Sequence, residues 1–83
     1  MDASPSWIFA RRTPREFVCE VDRFRDLLRD EQTPLASKEV AWSRIVRHAA
    51  ELDAHDAGFA GAGLALKDAL CAWLDLRARH SAA

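Results

Sequence analysis

The sequence predicts an all-α fold, a small antiparallel three-helix bundle with an extended N-terminal arm. Apolar residues recur at helical spacings of three and four in three separate stretches. Prolines and glycines separate these stretches, and the short connections favour antiparallel neighbours. A chain of 83 residues has room for one domain. We expect a single helical domain over residues 1–83, with the arm at 1–12 and helices at about 14–31, 37–57 and 61–79.

The first helix has the strongest start signal in the sequence. Thr13 suits the N-cap, Pro14 the first helical position, and Glu16 can reach back to complete a capping box. An apolar stripe follows, with Val18 and Leu27 beside it, and charged residues occupy the opposite side. The stripe consists of Phe17, Val21, Phe24 and Leu28.

The second helix should begin after Pro34, which cannot lie inside a continuing helix. Ser37 is placed to cap it, with Thr33 as the rival cap. Gly58 is the predicted left-handed stop, and Phe59 should fold back onto the last turn. The core face is expected to contain Trp42, Ile45, Ala49 and Leu52.

Three glycines in "GFAGAG" precede the third helix. No strand pattern comes before them and no Lys-Ser or Lys-Thr follows, so we interpret them as a corner and not as a phosphate-binding loop. Ala69 and Leu76 should lie at the edge of the buried face. That face is predicted to contain Leu66, Leu70, Trp73 and Leu74.

Charge and cysteine content restrict the class of protein. The formal net charge is -1, with 12 basic and 13 acidic residues, so the whole molecule offers no general attraction for nucleic acid or an anionic membrane. Cys19 and Cys71 are too few and too isolated for a disulfide framework or a zinc motif. We expect a soluble, unexported chain in the cytoplasm, with two reduced thiols and no membrane contact.

One group of residues resembles part of a metal site. His48, Glu51 and His55 would share a narrow sector of the second helix, but the two histidines lie about two turns apart, too far for both to bind one ion. Neither cysteine has a histidine placed by local sequence, and no serine follows a nucleophile-elbow pattern. The sequence therefore predicts a non-enzymatic protein with no cofactor and no metal ligands.

The N-terminal arm is the main candidate for function. Large apolar and basic side chains stand together in a stretch bounded by prolines, too short for a stable helix of its own. They either cover an edge of the bundle or dock on another chain, a second copy or a foreign protein, since these residue types are enriched at interfaces. The predicted partner-binding residues are Trp7, Ile8, Phe9, Arg11 and Arg12.

These features favour a small interaction protein: an adaptor, an assembly factor, or an inhibitor of the type that phages and mobile elements encode in bacteria. The alternative is a nucleic-acid-binding transcriptional regulator in which Arg11, Arg12 and Arg15 form a minor-groove arm. Residues 51–75 argue against that alternative, because they contain five acidic residues and one base, Lys67.

Overall fold

A computed structural model of the chain describes residues 13–82, in which three α-helices follow one another. They are α1 (Pro14–Arg29), α2 (Leu35–Ala49) and α3 (Phe59–Ala82). The predicted all-α fold with three helices is confirmed. The predicted arm, residues 1–12, lies outside the described residues.

The start of α1 is the predicted capping box. The Glu16 backbone N–H donates to Thr13 Oγ1 at 3.1 Å, and the Thr13 N–H donates to Glu16 Oε1 at 3.2 Å. Pro14 occupies the first turn, where its missing N–H costs nothing. Two otherwise unsatisfied backbone donors are thereby paired, which defines the first residue of the helix.

The end of α1 comes two residues before the predicted one. Asp30 is the C-cap, and its carboxylate accepts from the Gln32 backbone N–H at 3.0 Å and from the Thr33 hydroxyl at 2.8 Å. A short acidic side chain that binds the backbone ahead of it favours a turn over a further helical turn. The hydroxyl of Thr33 therefore serves this turn and does not cap α2.

Lys38 connects this turn to the end of α1. Its side chain is 4% exposed, and Nζ donates to the Leu28 carbonyl oxygen at 3.3 Å. A cation at this position pairs one of the last carbonyls of α1 and opposes the negative end of its helix dipole. The helical periodicity of α2 contained no sign of this role.

The start of α2 differs from the prediction. The N-cap is Pro34, with no side-chain hydrogen bond, and Ser37 lies inside the helix. The Ser37 and Lys38 backbone N–H groups both donate to the Pro34 carbonyl oxygen, at 3.1 and 3.2 Å. Backbone contacts alone therefore begin α2.

The second helix was predicted to reach residue 57, and this was wrong: α2 ends at Ala49. Residues 50–58 form turns in which the Asp53 carboxylate accepts from the His55 N–H and the Asp56 carboxylate accepts from the Gly58 N–H, both at 2.9 Å. Local bonds of this kind compete with the helical backbone bonds. The helical apolar spacing continues to Leu52, and for this reason the sequence pattern predicted a longer helix than the one that forms.

Gly58 was predicted to be a left-handed stop, and this too was wrong. No glycine among residues 13–82 has a positive φ. A Cβ added at Gly58 would lie 3.0 Å from the Pro14 Cβ, so the glycine permits a close approach between the start of α1 and the turn before α3. Phe59 then begins α3 and does not fold back onto α2.

The core is built around α1, which packs against both other helices. Within residues 13–82, no Cα atom of α2 comes within 8 Å of one in α3. The Phe24 ring joins the two sides: its centroid lies 5.5 Å from the Trp42 ring of α2 and 6.1 Å from the Trp73 ring of α3. The buried core of the described residues consists of Phe17, Val21, Phe24, Ile45, Ala62, Ala69 and Trp73.

Candidate protein-docking surface

The side of α3 that faces α1 is a regular stripe with spacings of four, three, four and three. Ala62 and Ala69 are fully buried, Trp73 is 2% exposed, and the two leucines of the stripe are partly buried against the core. Alanines at two of the five positions let the helix backbones approach closely. We call this set the inner stripe: Ala62, Leu66, Ala69, Trp73 and Leu76.

A second stripe with the same kind of spacing runs along the opposite side of α3. Its members follow at intervals of four, three, four, three and four, and all six are exposed. At about 3.6 residues per turn, its centre lies roughly 160° around the helix from that of the inner stripe. We call this set the outer stripe: Ala60, Leu64, Lys67, Cys71, Leu74 and Ala78.

Because of the outer stripe, α3 is apolar on two opposite sides, and α1 covers only the side that carries the inner stripe. Leu64 is 65% exposed and Leu74 is 52% exposed, and Lys67 and Asp68 are the only charged residues between positions 59 and 74. A helix that is apolar all round is normally buried on all sides. Apart from Lys67 the outer stripe is apolar, and large exposed apolar patches are typical of interaction sites, so we treat this face as a candidate docking surface.

The predicted core face of α3 was partly wrong. Trp73 is buried and Leu66 partly buried as expected, but Leu70 is 38% exposed and Leu74 is 52% exposed. Ala69, expected at the edge, lies at the centre of the contact with α1. Because leucines and alanines surround the whole helix, periodicity could not decide which face α1 would cover.

A shallow groove of about 300 Å³ lies between α1 and α2. Its apolar lining includes Phe24 and Ile45, and two arginines, Arg23 and Arg44, also line it. Arg23 lies in α1 and Arg44 in α2, so their proximity could not be predicted from the sequence. Glu20 lines the groove as well, so it offers an apolar surface with charges of both signs next to the core.

The predicted metal-like group does not form, because the helix ends before two of its members. His48 is the second-to-last residue of α2, whereas Glu51 and His55 lie in the following turns. His48 Nδ1 is instead 2.6 Å from Glu20 Oε2 of α1, and the side chains are 14% and 21% exposed. This partly buried pair joins α1 to α2. Residues 13–82 contain no group of three or more potential ligands (His, Cys, Asp or Glu) arranged to hold a metal ion.

Both cysteines are exposed and unbridged. Cys19 lies on the side of α1 away from the core, and Cys71 belongs to the outer stripe. Among the helices of residues 13–82, none is both long enough and apolar enough to cross a membrane.

The predicted partner-binding residues, Trp7, Ile8, Phe9, Arg11 and Arg12, all lie outside the described residues. The outer stripe is therefore a candidate that the sequence reasoning missed. A signal for it was present, since the same spacing occurs twice around α3, but one of its members, Leu74, was predicted to lie in the core.

Comparisons with known proteins found no match to this chain among family models, curated proteins or solved structures.

Proposed function

We propose that this chain is a small non-enzymatic interaction protein that acts by occupying the surface of another protein. Adaptor, assembly factor and phage- or mobile-element-type inhibitor are the roles that fit its size. The outer stripe of α3 is the main contact surface, and the arm residues Trp7, Ile8, Phe9, Arg11 and Arg12 add to it. The compartment is the cytoplasm, where the exposed thiols stay reduced.

The observation that carries this proposal is the outer stripe. Its spacing is that of a helix seam that packs knobs into holes of a facing helix. Full burial of a leucine side chain is worth about 1.5–3 kcal/mol, so covering Leu64 and Leu74, each more than half exposed, would yield about 1–2 kcal/mol apiece. The inner stripe shows the same pattern already used for packing within this chain.

The test compares two matched double variants of the full chain. Leu64→Glu with Leu74→Glu places charges on the outer stripe, whereas Val40→Glu with Val46→Glu places the same charges on α2, at side chains that are 60% and 47% exposed. Affinity capture from the native host, quantified by mass spectrometry, should lose its specific partner with the α3 variant and keep it with the α2 variant. Equal capture by both variants would contradict the proposal.

A mobility-shift titration distinguishes the nucleic-acid alternative. We expect no shift of duplex or single-stranded DNA at micromolar protein and physiological salt. Binding that weakens steeply as salt is added, and disappears in the Arg11→Ala, Arg12→Ala variant, would favour the regulator instead.

A further inference from the structure

We infer that the N-terminal segment, residues 1–12, folds back along α1 in the free chain and occupies the groove between α1 and α2. Its large apolar side chains, Trp7, Ile8 and Phe9, are the ones that enter the groove. This inference goes beyond the proposed function, because the outer stripe lies on α3 and takes no part in it. Contact between these side chains and a foreign protein then requires the segment to leave the groove.

The groove has an apolar lining that comes from both helices. Phe24 and Leu27 belong to α1, and Ala41 and Ile45 belong to α2. Phe24 and Ile45 are buried and form the floor, whereas Leu27 and Ala41 are only partly buried. An apolar cover would therefore remove further apolar surface from water.

The charged residues of the groove suit aromatic occupants. Arg23 and Arg44 lie beside the apolar floor, and a guanidinium group packs favourably over an aromatic ring. The carboxylate of Glu20 is already paired with the histidine near the end of α2. Two of the three large apolar residues of the segment, Trp7 and Phe9, are aromatic.

A continuous path joins the groove to the point where the segment enters the described chain. A second concavity, of about 480 Å³, runs along α1, and its lining includes Arg15 and Cys19. It shares Glu20 and Arg23 with the groove. Arg15 is two residues from Thr13, the first described residue, so the path begins at the base of the segment.

The segment is long enough to follow this path. Phe24 comes 11 residues after Thr13, which is about 16 Å along the helix axis. Trp7 comes six residues before Thr13, and six extended residues span about 20 Å. The outer stripe is less accessible to the segment, because it lies on the side of α3 away from α1 and a helix is about 10 Å wide.

Charge complementarity favours a segment that stays on its own chain. The turns at 50–58 contain three acidic residues and no lysine or arginine. They lie against the start of α1, since a Cβ added at Gly58 would be 3.0 Å from the Pro14 Cβ. Arg11 and Arg12 directly precede the cap of α1, so the chain holds them near these acidic turns, where opposite charges attract.

Nuclear magnetic resonance of the wild-type chain tests the placement directly. Nuclear Overhauser contacts should join the ring protons of Trp7 and Phe9 to the methyl groups of Leu27 and Ala41. The methyl groups of Leu64, on the outer stripe, are the control and should show no contact with these rings. Rings without contacts to the groove, or with contacts to Leu64 in their place, would overturn the inference.

A double-mutant cycle in urea unfolding is the second test. The triple change of Trp7, Ile8 and Phe9 to alanine should lower the urea midpoint of the wild type. Ala41→Gln fills the groove with a polar side chain, so the triple change should cause little further loss in that background. Val40→Gln is the matched control, because Val40 is 60% exposed and is not among the residues that line the groove, and the full loss should remain there.

The outcomes of this cycle separate the possible places of the segment. An equal loss of urea midpoint in all three backgrounds would mean that the apolar side chains are buried elsewhere, and no loss in the wild type would mean that they are not buried on their own chain. Either result would overturn the inference. Neither decides the proposed function, which depends on partner capture by the α3 variant. The resonance experiment uses the wild type, so it holds even if a variant does not fold.

Discussion

Phe24→Ala should be among the most damaging single changes in the core. Phe24 is 3% exposed, and its ring lies between Trp42 of α2 and Trp73 of α3. Because α2 and α3 do not contact each other through their backbones within residues 13–82, the ring of Phe24 links the two sides of the core. Removing it leaves a cavity where both sides meet.

The expected loss follows from burial and from the two ring contacts. Truncating a buried phenylalanine to alanine costs about 3–5 kcal/mol. Each favourable aromatic pair adds about 0.5–1.5 kcal/mol beyond area burial, which places this change in the upper half of that range, about 4–5 kcal/mol. A domain of this size has a free energy of unfolding of about 4–12 kcal/mol, so the change should remove about a third of this stability or more.

Urea or thermal unfolding followed by circular dichroism measures this loss. Phe59→Ala is the matched control, because the same atoms are removed from a ring that is 38% exposed, and it should cost about 1–2 kcal/mol. If Phe24→Ala costs no more than Phe59→Ala, the central place of Phe24 between the two tryptophans is refuted.

Three further predictions concern the ends of the helices. Thr13→Ala should lower the free energy of unfolding by about 1 kcal/mol, because it removes the α1 capping box. Chemical denaturation measures this loss, and an unchanged free energy of unfolding would mean that the cap contributes nothing to stability. Lys38→Met keeps the buried stem but removes the donor to the Leu28 carbonyl, so it should cost about 1.5–3 kcal/mol in the same assay, with Lys67→Met as a control near zero; equal effects would contradict the buried hydrogen bond. The pKa of Asp30 is lowered first by the hydrogen bond from the Thr33 hydroxyl, and then by the Gln32 backbone N–H and the charge of Lys38. The ionised Asp30 carboxylate therefore stabilises the fold above about pH 4, and this stabilisation is lost as the pH falls through the lower folded-state pKa. Acid titration of unfolding should therefore show a shallower acid limb in Asp30→Asn, and an unchanged limb would contradict this pH dependence.

The number of helices and the start of the first one were readable from the sequence, because both depend on local chemistry. The Thr13, Pro14 and Glu16 cap lies within four residues, and hydrophobic spacing identified the face of α1 that contains Phe17 and Phe24. Because charged residues occupy the opposite side of α1, only one face of the helix is apolar, and the hydrophobic periodicity identified that face as the buried one.

The end of α2 and the buried face of α3 were decided only in the folded chain. The helical apolar spacing continues to Leu52, but the carboxylates of Asp53 and Asp56 bind backbone N–H groups of the turn, and Gly58 lies against Pro14. In α3 the apolar residues surround the helix, so local pattern could not choose between the two stripes. The choice was made by α1, against which the small side chains of Ala62 and Ala69 allow close packing, and it left Leu64 and Leu74 at the surface.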